Sequence, residues 1–264
     1  MASEHSNRGA KRAREARANL GYTREGPLPD VLRAVEREGG AHAVVLELPE
    51  GVAGAYIAKP GRPLLFVNGR QALSRQRFTL AHEFGHHRMR HATVVDKQAA
   101  ISGHLHDPSE VSANAFAAEF LTPRDAVTAW GGERVRGAVT LEDVILLAHE
   151  YGVSAQAARY ALETARVLTD DRRRRQLDDE IAEDLHVDLA QRLGLRPLED
   201  DLADVAGRLP RIPGALRSSA LGDLLAGAID AKALALRLGR EPAEVAAMLT
   251  ELRIDQLLPA VLAP

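Results

Sequence analysis

Cysteine is absent from this chain, which excludes disulfides and thiolate metal sites together. Aromatic residues are scarce, at 4% of 264 positions, while alanine, leucine and arginine abound; that balance favours helices. No apolar run approaches membrane-spanning length, and the first residues hold no hydrophobic signal core. The expectation is therefore a cytoplasmic protein with no membrane partner. Neither sign of charge dominates: 34 Lys and Arg stand against 37 Asp and Glu, a formal net charge of −3, with no global pull toward nucleic acid. The 45% apolar content is enough for a core and more than one subdomain.

What is present is chemically pointed. In His82-Glu83-Phe84-Gly85-His86, the two histidines are spaced to share one face of a helix, so both imidazoles can reach one metal ion. Glu83, beside the first of them, is placed to take a proton from a metal-bound water. Arg77 to Ala81 reads as the helix start, and Phe78, Leu80, Ala81 and Phe84 give it apolar packing. A hydrolytic zinc site needs a third protein ligand and one open position. The second helical segment, Asp107 to Pro123, offers Glu110. Asn114, one turn on, lies on the same face, where its carboxamide can hold a ligating histidine by the other ring nitrogen. A metal-free reading makes Asp107 an N-cap, Pro108 the first helical residue and Glu110 its N3 partner. Glu119 is the rival ligand, on nearly the opposite side of the helix from Glu110. His104 and His106 are the possible substitutes; His87 and His91 read as solvated or supporting residues.

The run Arg77-Phe78-Thr79-Leu80-Ala81-His82-Glu83-Phe84-Gly85-His86 and the later Glu110-Val111-Ser112-Ala113-Asn114-Ala115-Phe116-Ala117-Ala118-Glu119-Phe120-Leu121-Thr122-Pro123 resemble the two signatures of the ImmA/IrrE family of metallopeptidases. Leu64 to Asn68 resembles the short strand that precedes the family's metal helix. The match is specific over residues 28–123 and looser to 166. The resemblance implies His82, His86 and Glu110 as ligands of a zinc ion (manganese being the alternative) and Glu83 as the catalytic base. It also implies a protein substrate: a helix-turn-helix repressor, cleaved in response to stress or mobile-element signals. No tyrosine follows His86 closely, so no transition-state donor carries over.

The fold class expected is α+β: a helix-rich, zincin-like metallopeptidase domain with a small sheet, a helix-turn-helix-like subdomain, and an α-helical C-terminal domain. Residues 1–26 read as a flexible basic tail, transiently helical from Ala10 to Ala18. Within 27–123, a helical stripe of Leu28, Val31, Leu32 and Val35 precedes three extended runs, 43–48, 52–57 and 64–68, which form an antiparallel or mixed sheet. Thr122-Pro123-Arg124-Asp125 reads as a new helix start opening residues 124–169. There Thr140 caps one helix, Gly152 makes a turn and Ser154 caps another. Asp170 to Arg175 reads as a charged linker within 170–264, an accessory region that selects or senses. On that modular reading a chain ending near Thr169 keeps its metal. Two other functions compete: a metal-bound, non-proteolytic regulator, and a DNA-binding transcription factor using residues 140–165. The second has a poor electrostatic footprint, since Gln156 and Arg159 are accompanied by Glu163.

Overall fold

The computed structural model describes residues 2–22, 26–28, 30–37, 40–58, 61–97, 107–195, 211–217 and 219–259. In chain order the elements are α1 (Ala2–Asn19), α2 (Val31–Arg37), β1 (His42–Leu46), β2 (Val52–Ile57), β3 (Leu64–Asn68), α3 (Leu73–Met89), β4 (Val94–Lys97), α4 (Pro108–Leu121), α5 (Arg124–Arg134), α6 (Leu141–Tyr151), α7 (Ala155–Thr164), α8 (Asp171–Ala182), α9 (Leu185–Arg192), α10 (Gly214–Arg217), α11 (Ala220–Leu225), α12 (Ala231–Leu238), α13 (Pro242–Glu251) and α14 (Ile254–Leu257). This is a helix-rich α+β architecture around one small sheet.

The sheet is mixed, in the order β1-β3-β2-β4. β1 runs parallel to β3, with His42 opposite Leu64, and β2 runs antiparallel to both β3 and β4. Both faces are apolar, and side chains alternate between them as the pleat requires. Ala43, Val45, Tyr56, Leu65 and Val67 face the core shared with α3 and α4. Val44, Leu46, Ala55, Ile57, Leu64 and Phe66 face a second core, completed by Ile212, Leu224, Leu234, Val245, Leu249 and Leu257 from the C-terminal helices. The β1 edge is covered as well: Val45 and Arg211 exchange backbone hydrogen bonds of 3.0 and 2.9 Å.

Several expectations change. Residues 2–19 are no flexible tail but a helix laid along α4, because its inner stripe is small. Ala13 and Ala16 are fully buried, and a Cβ on Gly9 would lie 2.0 Å from the Ser112 carbonyl oxygen. Arg17, also buried, locks the contact by donating to the carbonyls of Phe120 (2.8 Å) and Gly26 (2.7 Å). α3 begins a turn before Arg77, at Leu73. Arg77 is instead a tether, donating to the carbonyls of Leu28 (2.7 Å), Gly152 (2.9 Å) and Tyr151 (3.3 Å). Thr122 closes α4 rather than opening α5, since its hydroxyl bonds back to the Ala118 carbonyl at 2.8 Å. The fourth strand, β4, was not expected.

α6 and α7 are joined by a short turn, with caps at the residues read for them. Thr140 and Asp143 form a reciprocal capping box, Gly152 takes a left-handed turn at φ 64°, and Ser154 caps α7. The charged run at 170–175 is the first turn of α8 and not a linker. The Asp170 carboxylate accepts from the backbone N–H groups of Arg172 (2.7 Å) and Arg173 (3.1 Å), and Arg173 reaches the Val139 carbonyl at 2.7 Å. Leu177 and Ile181 then join the core beneath α6 and α7. The region after 170 is thus shared between the two cores, with α8 on one and α10 to α14 on the other. Among the described residues, no helix is long and apolar enough to cross a membrane.

Candidate metal centre

Three elements converge beside the sheet. α3 is packed by Leu80, Ala81 and Phe84 between the sheet and α4, and it turns His82, Glu83 and His86 inward; all three are buried. α4 contributes Glu110 and Asn114. The first turn of α4 is capped by Asp107 alone, without a reciprocal bond from the Glu110 side chain. Asp107 is the N-cap, accepting from the backbone N–H of Ser109 at 2.8 Å, and Pro108 occupies the first turn. Glu110, however, turns its carboxylate to the histidines: Oε2 is 3.3 Å from His82 Nε2 and Oε1 3.5 Å from His86 Nε2. The two Nε2 atoms are 3.0 Å apart.

The outer ring nitrogens are held too. His82 Nδ1 lies 2.9 Å from Asn114 Oδ1, as the spacing of Glu110 and Asn114 implies. A carbonyl oxygen can only accept, so Nδ1 donates to it and Nε2 is the ring atom turned inward, toward Asp96 and Glu110. His86 Nδ1 lies 2.9 Å from His91 Nδ1. His91 is therefore the partner of His86, the supporting role read for it. Glu119, the rival, points away: its carboxylate accepts from Arg14 of α1 at 3.1 Å. His104 and His106 lie outside the described residues.

The structure adds a group that the spacing analysis did not find. Asp96 on β4 is 2% exposed, and its Oδ2 stands 3.4 Å from His82 Nε2 and 3.7 Å from His86 Nε2. His82, His86, Asp96 and Glu110 each offer a donor atom, all within 4.8 Å of one another, a set able to hold a metal ion. Asp96 Oδ2, Glu110 Oε2 and both Glu83 carboxylate oxygens are buried without a hydrogen-bond partner. Buried carboxylates in that condition are costly unless a cation or a proton compensates them. The electrostatics follow. Burial pushes the Glu83 carboxyl well above the usual range, and the neighbouring Asp96 and Glu110 carboxylates push it further. Burial opposes charging His82, but Asp96 and Glu110 outweigh it and raise its pKa to about 9. Burial, with His82 and His91 alongside, lowers His86 to about 2. The pair thus takes one proton at a place suited to one cation.

Comparison with known proteins agrees with the geometry. Residues 40–163 match the profile of the IrrE N-terminal-like domain, Peptidase_M78, which spans the sheet, α3, β4, α4 and the α6–α7 turn. Over those residues the chain is similar to the IrrE N-terminal-like domain, which supports its likeness to the ImmA/IrrE metallopeptidases. No curated protein matches the chain.

Proposed function

We propose that the protein is a zinc-dependent endopeptidase that cleaves a partner protein, with His82, His86 and Glu110 as metal ligands and Glu83 as the base. One observation carries this reading: the three donor groups face one another at 3.0 to 3.5 Å, buried, on two helices fixed to the same core. Donors bound to one zinc at about 2.0–2.2 Å lie roughly 3.3–3.6 Å apart in a tetrahedron. The residues therefore fit the ion. When bound, zinc supplies a Lewis acid and lowers the pKa of a coordinated water toward neutrality.

The remaining work falls to the chain. Asn114 and His91 fix the ring orientations of His82 and His86. Glu83, whose neighbours raise its proton affinity, accepts a proton from the attacking water and delivers it to the leaving amine. The apolar packing of α3 excludes bulk water, which strengthens each of these interactions. The substrate class implied by the family resemblance is a helix-turn-helix repressor, and the expected setting is cytoplasmic, stress-responsive transcriptional control. An intact Glu83 favours proteolysis over a purely structural or regulatory metal site. Direct DNA reading through α7 has little support. Arg159 is 4% exposed, and its Nε and Nη2 both reach Asp178 of α8 at 2.8 Å; Gln156 donates to the same carboxylate at 3.0 Å.

The test is to incubate the purified protein with helix-turn-helix repressors from the same organism, with zinc, after chelation, and as Glu83→Gln. Metal-dependent cleavage that falls on the order of a hundredfold or more in the variant is expected. Cleavage that survives both chelation and Glu83→Gln would remove the assignment.

A further inference from the structure

We infer that Asp96 is a fourth protein ligand, so that the resting metal centre is closed. This rests on the metallopeptidase reading and deepens it. The Asp96 Oδ2 atom completes a four-cornered set with the two Nε2 atoms and Glu110. Five of the separations within that set, 3.0, 3.3, 3.4, 3.5 and 3.7 Å, bracket the tetrahedral edge of about 3.3–3.6 Å. The carboxylate is built into place rather than drifting there. Asp96 pairs with Gly54 across β2–β4, where the register slips between Val52 and Gly54. Such a bulge re-aims side chains. Val94 packs toward the core shared with α3 and Val95 toward the opposite core, so alternation returns Asp96 to the α3 side. Its oxygen is buried with no other partner.

Four protein donors make a structural centre, whereas catalysis needs one position open to water. The consequence is that Asp96 occupies the corner a water must take. Peptide hydrolysis then requires Asp96 to leave the metal. Its strand is suited to that release: β4 is four residues long and, among the described residues, pairs with β2 alone at the end of the sheet order. A substrate segment adding to this edge, or a partner that shifts β4, opens the site.

The experiment uses the full-length protein reconstituted with cobalt(II), whose visible spectrum reports coordination number, and acetohydroxamate as a probe for an open position. Zinc affinity is measured in parallel by competition with a chromophoric chelator. Asp96→Ala is compared with Asp96→Asn, which keeps the shape of the side chain but removes its charge. The wild type should give the intense bands of four-coordinate cobalt and resist acetohydroxamate. Both variants should bind the probe with a spectral change, and their zinc affinity should fall by ~10-fold or more, since even supporting groups contribute that much. Wild-type protein that takes up cobalt, binds the probe as tightly as the variants and matches their zinc affinity overturns the Asp96 assignment while leaving the metal site standing. Wild-type protein that takes up neither metal overturns both readings.

Discussion

Ending the chain after Leu195 removes α10 to α14 and tests how separable the C-terminal region is. Those helices cover Val44, Leu46, Leu48, Ile57, Leu64 and Phe66, none of which is more than 3% exposed. Uncovering a large apolar side chain costs about 1.5–3 kcal/mol, so six of them amount to roughly 9–18 kcal/mol. Strand neighbours keep part of that area covered, which makes the range an upper bound. Half of it still rivals the entire stability of a typical domain, about 5–15 kcal/mol. The cut also removes the Arg211 bridge that shields the β1 edge. The shortened chain should therefore lose its cooperative melt by circular dichroism, aggregate, and retain no stoichiometric zinc, although every proposed ligand survives in sequence. A soluble fragment that melts within about 5 °C of the full chain and keeps its metal would refute the reasoning and restore the modular picture.

Glu110→Ala should abolish stoichiometric metal binding. Glu119→Ala, which loses a pair to the half-exposed Arg14 and an acceptor for the Arg124 backbone N–H at 3.4 Å, should keep the metal and cost about 1–2 kcal/mol; metal analysis with thermal melts separates them, and the reverse result would exchange their roles. Gly54→Ala places a Cβ 2.5 Å from Glu83 Oε1 and 2.7 Å from the Phe66 carbonyl oxygen, which cannot move aside. It should destabilise by about 1–3 kcal/mol and depress cleavage through a displaced Glu83, so an unchanged melt with full activity would count against the placement of Glu83. Arg77→Lys cannot span three carbonyls from different segments, and a loss of about 3 kcal/mol in chemical denaturation is expected. A variant as stable as wild type would show that the tether contributes nothing.

The parts of the site legible in sequence are those that local periodicity fixes. His82 and His86 are one turn apart, as are Glu110 and Asn114, and helical geometry then leaves each pair no choice but to share a face. The spacing of Glu110 and Glu119 likewise excluded their joint use, and the structure sends Glu119 to Arg14. Asp96 could not be read in this way. Its position depends on the pairing of β4 with β2 and on a bulge near Ala53, and neither leaves a local period; in isolation Val94-Val95-Asp96-Lys97 looks like any short edge segment. α1 was misread for a related reason. Its charged outer face dominates the composition, while the buried stripe of Gly9, Ala13 and Ala16 is too small to register as hydrophobic. Close helix approach selects small residues, so here a weak apolar signal accompanied tight packing.

The covering of the outer sheet face was readable, and only its source was hidden. Leu64-Leu65-Phe66-Val67 has no polar alternation, and neither does Ala43-Val44-Val45-Leu46. Strands that are apolar on both sides must be covered on both sides, since one solvated face would have demanded polar residues at every second position. α3 and α4 can cover only one face. A second layer was therefore required by these two strands alone, and among the described residues it is supplied by the helices after residue 211. α3 is thus held in register with Glu110 and Asp96 by a sheet that is covered by residues more than a hundred positions from any of the proposed ligands. Mutations in the cluster of Leu224, Leu234, Val245 and Leu249 should reach the centre through the sheet, by loosening the layer on which α3 is set.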